Sequence, residues 1–222
     1  DNYSDGQQLN MGLNDGDFLS ETVDYIVNQP KPSLSTVITL SSHIPFEITD
    51  LTKDLGINAR DYPDQVGGYL ENINYVDRML AQFFNKLKEN NLYDDSLIIV
   101  YGDHTPVLSS FSAGSINYDS ESDQGLEVPL FIKLPNQTTG QSHDKLGTNL
   151  DIMPTILDLT GIKTNQLIFG QSLFSQLESK PFTCQNHLVI FSNIGDCEAA
   201  ELTEKSISSK IIRYNQFHNV DQ

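Results

Sequence analysis

Tryptophan is absent from this sequence, cysteine occurs twice, and basic residues are scarce. The 13 Lys and Arg residues against 30 Asp and Glu residues give a net charge of −17, which argues against nucleic acid and against purely electrostatic binding to an anionic membrane. A divalent cation suits such an acidic chain better. No apolar run approaches the roughly 18 residues that cross a bilayer, and no signal peptide is recognisable. The abrupt polar start at Asp1 predicts a piece of a longer protein.

Enough apolar sequence is present for a substantial core. Hydrophobic residues make up 38% of the 222 residues, which fits one α/β domain, or one domain with a small appendage. The two cysteines, Cys184 and Cys197, lie close in sequence. They form either a disulfide, as in an exported protein, or two free thiols, and the sequence leaves both readings open.

One stretch, residues 98–106 with the sequence IIVYGDHTP, joins an apolar strand to two polar side chains. Its β-branched residues predict a buried parallel strand covered on both faces. Ligands of open α/β sheets bind beyond the carboxyl ends of the strands, which is where Asp103 and His104 fall. Carboxylate and imidazole both bind divalent transition metals, and Gly102 and Pro106 favour the turn that would bring the pair onto one ion. The alternative is a helix cap or a simple turn.

Hydrophobic spacing and boundary residues predict alternating helices and strands. Helices are predicted at 15–28, 64–90, 151–159 and 170–177, and strands at 33–40, 98–101, 127–134, 187–191 and 210–214. Asp15 and Asp151 are the expected helix N-caps, and Gly161 is the expected end of the third helix. The longest helix presents an apolar face from Tyr69 to Leu87, and residues 107–126 are expected to form a long exposed loop.

This order of elements predicts an α/β fold, with a mostly parallel sheet and helices on both faces. We expect residues 1–177 to form this domain and residues 178–222 to form a small β-rich C-terminal appendage. His43 directly follows the predicted strand 33–40, so its imidazole also falls at the carboxyl end of a strand. The simpler reading is that His43 caps the turn before Pro45.

Six blocks of sequence occur in an order and spacing that resemble a known family. They are Ile38–Phe46, Tyr69–Asp77, Tyr101–Pro106, Val128–Pro135, Leu150–Ile162 and Phe169–Phe174. Over roughly residues 10–177 the chain resembles the carboxyl-terminal half of the sulfatase-like domain of lipoteichoic acid synthases and related phosphoglycerol transferases. These enzymes belong to the alkaline phosphatase superfamily, so the resemblance implies an alkaline phosphatase-like α/β fold that is incomplete here.

The resemblance implies roles for three residues. Asp103 and His104 would bind the catalytic divalent metal, typically Mn²⁺, and His43 would bind the phosphoglycerol head group. The threonine nucleophile and a metal-binding glutamate come from the amino-terminal half in that family, together with a tryptophan and an arginine that contact the head group. Nothing in this chain matches that region, so no catalytic nucleophile is assigned and the chain alone is expected to be inactive.

The resemblance also implies partners and location. The intact protein would act on phosphatidylglycerol-type lipid and glycerophosphate polymer, with the upstream half of its own domain as a partner and no nucleic acid. It would lie at the extracellular face of a bacterial cell membrane, anchored by transmembrane helices absent from this chain. Alternatives are a sulfatase, phosphodiesterase or phosphoethanolamine transferase of the same fold, or a non-catalytic cell-surface module.

Overall fold

A computed structural model describes residues 8–9, 12–63, 65–106, 108–113, 116–119, 127–145, 147–166, 168, 170–176, 181–184 and 188–191. The helices are α1 (Asp15–Val27), α2 (Val66–Glu89) and α3 (Ile152–Thr160), with short 3₁₀ helices at Ala59–Asp61 and Asn149–Asp151. The strands are β1 (Gln8–Leu9), β2 (Gly12–Leu13), β3 (Ile98–Tyr101), β4 (Phe111–Ala113), β5 (Ile116–Tyr118), β6 (Leu130–Lys133), β7 (Pro181–Cys184) and β8 (Leu188–Phe191).

The chain divides into two compact units, Asp1–Gly140 and Gln141–Gln222. The predicted boundary after residue 177 stays a prediction.

The first unit is built on the packing of α1 against α2, and both predicted helices are confirmed to within two residues. Leu19 of α1 packs with Tyr75 and Met79 of α2 in one cluster, and Val23 packs with Leu87 in a second. Spacings of four residues on each helix place these side chains on one stripe, and burial of that stripe drives the association.

Strand β3 pairs with β6, and the pairing is antiparallel, with Ile98 opposite Lys133 and Tyr101 opposite Leu130. The parallel neighbour expected from the sequence is wrong here, because residues 33–40 form no strand. The Lys133 ammonium explains the pairing that forms: it donates to the carbonyl oxygens of Tyr93, Asp94 and Ser96, directly before β3. A cation bound by three carbonyls at that point fixes the end of β6 beside the start of β3.

The chain between β3 and β6 is more ordered than the predicted loop. Strands β4 and β5 form an antiparallel hairpin, in which the rings of Phe111 and Tyr118 lie 5.6 Å apart. Such cross-strand aromatic pairs stabilise short hairpins. The expectation of a loop throughout residues 107–126 is therefore wrong for the described part of this segment.

In the second unit, α3 ends at Gly161 in a left-handed conformation (φ 68°), as predicted. The buried Asp151 carboxylate differs from the simple cap that was expected. It accepts hydrogen bonds from the backbone N–H of Thr148 at 2.8 Å and of Gln171 at 2.7 Å, so it joins two segments. Residues 170–176 form turns rather than the predicted helix.

The tail retains one predicted strand. β8 matches the strand expected at 187–191 and pairs antiparallel with β7. The strand predicted at 210–214 lies outside the described residues, and so do the side chains of Cys184 and Cys197. Within the described part of the chain, no helix is both long and apolar enough to cross a bilayer.

Candidate active site

The Asp103–His104 turn begins where β3 ends. Gly102 donates its backbone N–H to the carbonyl of Pro129 at 3.0 Å, one residue beyond the paired residues of β3 and β6. A Cβ at position 102 would lie 2.8 Å from Cβ of Val128, so a larger residue here would displace the segment that leads into β6. The close approach fixes where the two polar side chains leave the sheet.

Asp103 and His104 are brought together and face solvent, with side chains 78% and 64% exposed. Nε2 of His104 lies 3.8 Å from Oδ2 of Asp103, and Nδ1 of His104 lies 2.8 Å from the carbonyl oxygen of Thr105. A carbonyl oxygen only accepts, so Nδ1 carries a proton, and in the neutral ring Nε2 then presents its lone pair.

This geometry suits a shared metal ion. Two donor atoms that each lie about 2.1 Å from one ion are at most about 4.2 Å apart, so the observed 3.8 Å permits a shared ion at a donor–ion–donor angle of about 130°, wider than the tetrahedral angle. Ligating histidines also donate their other ring N–H to a carbonyl or carboxylate, as His104 does. Among the described residues no group of three or more His, Cys, Asp or Glu side chains could hold a metal. Within the described residues, no third such side chain joins the pair.

His43 lies in a turn at residues 40–46. Its backbone N–H donates to the carbonyl of Leu40 at 3.0 Å, and its own carbonyl accepts the N–H of Phe46 at 3.3 Å. Nδ1 lies 2.7 Å from the carbonyl oxygen of Ile44 and so carries the ring proton, which makes Nε2 an acceptor when neutral and a donor when protonated. The half-buried imidazole is therefore suited to a phosphate or hydroxyl oxygen.

The buried carboxylate of Asp15 beneath this turn was expected only to cap a helix. The Asp15 carboxylate accepts the backbone N–H of Leu40 at 2.9 Å and of Ser41 at 3.0 Å. Asp15 is not the N-cap of α1 as expected, because Asn14 caps the helix by accepting the N–H of Asp17 at 3.0 Å. The sequence contains one signal for this: Asn14 and Asp15 are both residues that commonly cap helices, and a helix needs only one cap. The other residue was therefore available for a different contact. Burial raises the pKa of the Asp15 carboxyl, and the hydrogen bonds from Leu40 and Ser41 act against that rise.

Each of the two turns has an aromatic neighbour. Phe46 packs edge-on against Tyr69, with ring centroids 5.4 Å apart, and Tyr118 donates its hydroxyl to the carbonyl of Pro106 at 3.4 Å. Burial, followed by the negative charge of a nearby ionised Tyr118, raises the pKa of Tyr69. The structure does not join His43 to the Asp103–His104 pair as a third ligand.

A cleft of about 340 Å³ adjoins the His43 turn. It is bordered by Pro45 and Phe46 of the turn, by Arg60 and Tyr62 around the 3₁₀ helix, and by the start of α2 at Gly68. One wall is therefore apolar, and Arg60 places a cation on the other.

Comparison with known proteins decides the family. A model of the sulfatase family matches residues 1–162. The chain belongs to the sulfatase family. Curated relatives are lipoteichoic acid synthase 1 of Bacillus subtilis, 35% identical over 181 residues, and lipoteichoic acid synthase of Staphylococcus aureus, 34% identical over 181 residues. Each match covers 78% of this chain and 28% of the relative.

Solved structures show the fold of this sulfatase-family chain. The lipoteichoic acid synthase LtaP from Listeria monocytogenes is 25% identical with a TM-score of 0.65, over 76% of this chain and 44% of that one. A protein of the alkaline phosphatase superfamily from Vibrio parahaemolyticus is 22% identical with a TM-score of 0.63, over 82% and 43% of the two chains. The predicted family resemblance and the α/β fold of the alkaline phosphatase superfamily are confirmed.

Proposed function

We propose that this chain is part of an extracellular, metal-dependent phosphoglycerol transferase that acts on phosphatidylglycerol-type lipid in lipoteichoic acid synthesis. The paired geometry of Asp103 and His104 carries the proposal, since their donor atoms lie 3.8 Å apart directly after a strand. The curated relatives that are 34–35% identical to this chain are lipoteichoic acid synthases, which supports a phosphoglycerol lipid rather than a sulfate ester as the substrate. The chain spans 28% of the length of those relatives, so the proposal concerns the whole protein.

Asp103 and His104 would hold a divalent ion, and we propose Mn²⁺. Asp103 would supply a negative oxygen and His104 a neutral nitrogen, Nε2, while Nδ1–H of His104 donates to the Thr105 carbonyl. When bound, such an ion lowers the pKa of a hydroxyl nucleophile and neutralises charge on a phosphoryl group. The pair is exposed, which leaves room for further ligands and for substrate.

His43 would bind the head group. Its Nε2, when protonated, donates to a phosphate oxygen or to the departing glycerol oxygen. The nucleophilic threonine, a glutamate ligand and membrane-spanning helices would be supplied by the upstream part of the protein. The chain alone would then be inactive, and transfer would end on a hydroxyl of the glycerophosphate polymer.

An assay of the complete protein tests this proposal. Glycerophosphate release from a phosphatidylglycerol analogue, dependent on Mn²⁺ and lost on chelation, is the expected result. Turnover of a sulfate ester or of phosphatidylethanolamine instead would replace the proposal with another enzyme of this fold. Mn²⁺ titration separates a non-catalytic module: it would bind no metal, or bind it equally well after Asp103→Ala.

A further inference from the structure

We propose that Asp15 is a positioning residue for His43: its buried carboxylate, at the start of α1, fixes the turn that presents the imidazole. The importance of this position for turnover rests on the proposed function. The contact itself does not, because it is defined by atoms of this chain alone.

The contact is reciprocal and excluded from water. Each carboxylate oxygen of Asp15 accepts one backbone N–H, Oδ1 from Leu40 at 2.9 Å and Oδ2 from Ser41 at 3.0 Å. In return the backbone N–H of Asp15 donates to Oγ of Ser41 at 3.0 Å. Both Asp15 and Ser41 are 0% exposed. Hydrogen bonds that a charged group accepts in such a dry environment are strong and directional.

The peptide of Leu40 transmits this contact to His43. Its N–H is held by Asp15, while the carbonyl of the same residue accepts the N–H of His43 at 3.0 Å. Among the described residues no strand is hydrogen-bonded to Leu40, and residues 33–40 form no strand. A carboxylate therefore supplies the acceptors that a neighbouring strand would otherwise provide, and it does so three residues before the imidazole.

The base of the contact is rigid. Tyr75 of α2 is 3% exposed, and its hydroxyl donates to Oδ1 of Asn14 at 2.7 Å and accepts the N–H of Gly16 at 3.2 Å. The residues on both sides of Asp15 are thereby joined to the longest helix. The imidazole is thus connected through Leu40 and Asp15 to the core between α1 and α2.

The chain offers a matched control in Glu71. This second carboxylate is 1% exposed and accepts the backbone N–H groups of Asp54 and Leu55, both at 2.9 Å. Loss of Glu71 therefore removes the same kind of contact from a different loop. Asp15→Ala and Glu71→Ala should destabilise the protein similarly, and only the first should affect His43.

The first measurement is backbone amide exchange of residues 38–46 in the complete protein. We expect the amides of Leu40, Ser41 and His43 to exchange faster in Asp15→Ala and to be unchanged in Glu71→Ala. Unchanged exchange in Asp15→Ala would overturn the proposal, whether or not the protein transfers phosphoglycerol.

The second measurement is turnover in two backgrounds. We expect Asp15→Ala to lower kcat by about 10- to 100-fold, as misplacement of a reacting group does, with bound metal unchanged. In a His43→Ala background the same substitution should lower kcat no further, because there is no imidazole left to misplace. An equal loss in both backgrounds would show a merely structural role and overturn the proposal.

Asp15→Asn replaces Asp15→Ala in both measurements if the alanine variant does not fold. An amide has one acceptor oxygen, so it loses one of the two backbone N–H groups, and its effect on exchange should be smaller but in the same residues. If wild-type protein shows no turnover, only the proposed function is refuted. The amide exchange measurement still tests whether Asp15 holds the turn.

Discussion

The turn that carries His43 and the turn that carries Asp103 and His104 are built differently. Beneath the first lie fully buried supports, with Asp15 and Ser41 at 0% exposure. The second projects into solvent, with side chains 78% and 64% exposed. The imidazole that we propose to contact substrate is supported by the core, whereas the pair that we propose to bind metal is positioned mainly by where β3 ends.

This difference has an energetic cause. An exposed carboxylate and imidazole 3.8 Å apart gain little from their attraction, because water screens the charges and the side chains lose rotamer freedom. A buried carboxylate with two backbone donors is held far more firmly. We infer that a bound ion would order the Asp103–His104 pair, and that His43 is ordered without one.

The largest expected effect follows from removing a metal ligand. Asp103→Ala in the complete protein should lower Mn²⁺ affinity by at least about 100-fold, since even outer partners of metal ligands change affinity by about 10- to 100-fold. The free energy of unfolding without metal should change by less than about 0.5 kcal/mol, because the side chain is exposed. Isothermal titration and urea unfolding check the two parts.

Asp77→Asn is the control for this prediction, since it removes one negative charge from an exposed position on α2. Mn²⁺ affinity should be unchanged in this variant. Equal losses in both variants would mean that the overall charge of −17, rather than a ligand, governs binding.

His43→Ala should act on turnover and leave metal binding intact. We expect kcat to fall by about 100-fold, the lower end of the range for a lost general acid. Metal content by atomic emission should match wild type, because His43 does not join the Asp103–His104 pair as a third ligand. Loss of metal together with activity would reassign His43 as a ligand.

The helices were predictable because their signals are local. Predictions of 15–28, 64–90 and 151–159 match α1, α2 and α3 to within two residues, from hydrophobic spacing and boundary residues alone. The face of α2 was less predictable: Ile73 on the expected apolar face is 40% exposed, and Tyr75 is buried. Which stripe is covered depends on where α1 packs.

The strands and the supports of the site depend on distant residues. Residues 33–40 have the composition of a strand and form none, since a strand exists only with a hydrogen-bonded neighbour. The adjacency of Asp103 and His104 was visible in the sequence, and the structure keeps them together. The contact of Asp15 with Leu40 was not visible, because it joins residues 25 apart that carry no common motif.

Gly68→Ala would disturb the support of the His43 turn from its other side. A Cβ at position 68 would lie 2.5 Å from the backbone oxygen of Phe46, and backbone cannot yield as a side-chain end does. We expect a loss of about 1–3 kcal/mol in the free energy of unfolding, typical of overpacking. Urea unfolding measures it.

Gly140→Ala is the matched control, since a Cβ there would have nothing within 4 Å. This variant should be as stable as wild type or slightly more stable, through reduced freedom of the unfolded chain. If both glycine variants were equally stable, α2 would have space to shift away from Phe46, and the turn would be held less firmly than we infer.

The smallest effect isolates the Asp15 carboxyl through pH. Burial raises its pKa above 3.8 in the folded protein, so the folded state retains this proton to a higher pH than the unfolded state does. Stability from this group is therefore present below pH 3.8 and declines as pH rises through the raised pKa. We subtract the free energy of unfolding of Asp15→Asn from that of wild type. This difference should fall across the window by about 1.4 kcal/mol for each unit of pKa shift, and then level off. Urea unfolding of both proteins from pH 3 upward measures the difference. If the difference in the free energy of unfolding rises with pH instead, the hydrogen bonds from Leu40 and Ser41 outweigh the effect of burial on the pKa of Asp15. The His43 turn would then be held by a carboxylate that the fold stabilises in its charged form, which would strengthen the contrast with the exposed turn at Asp103.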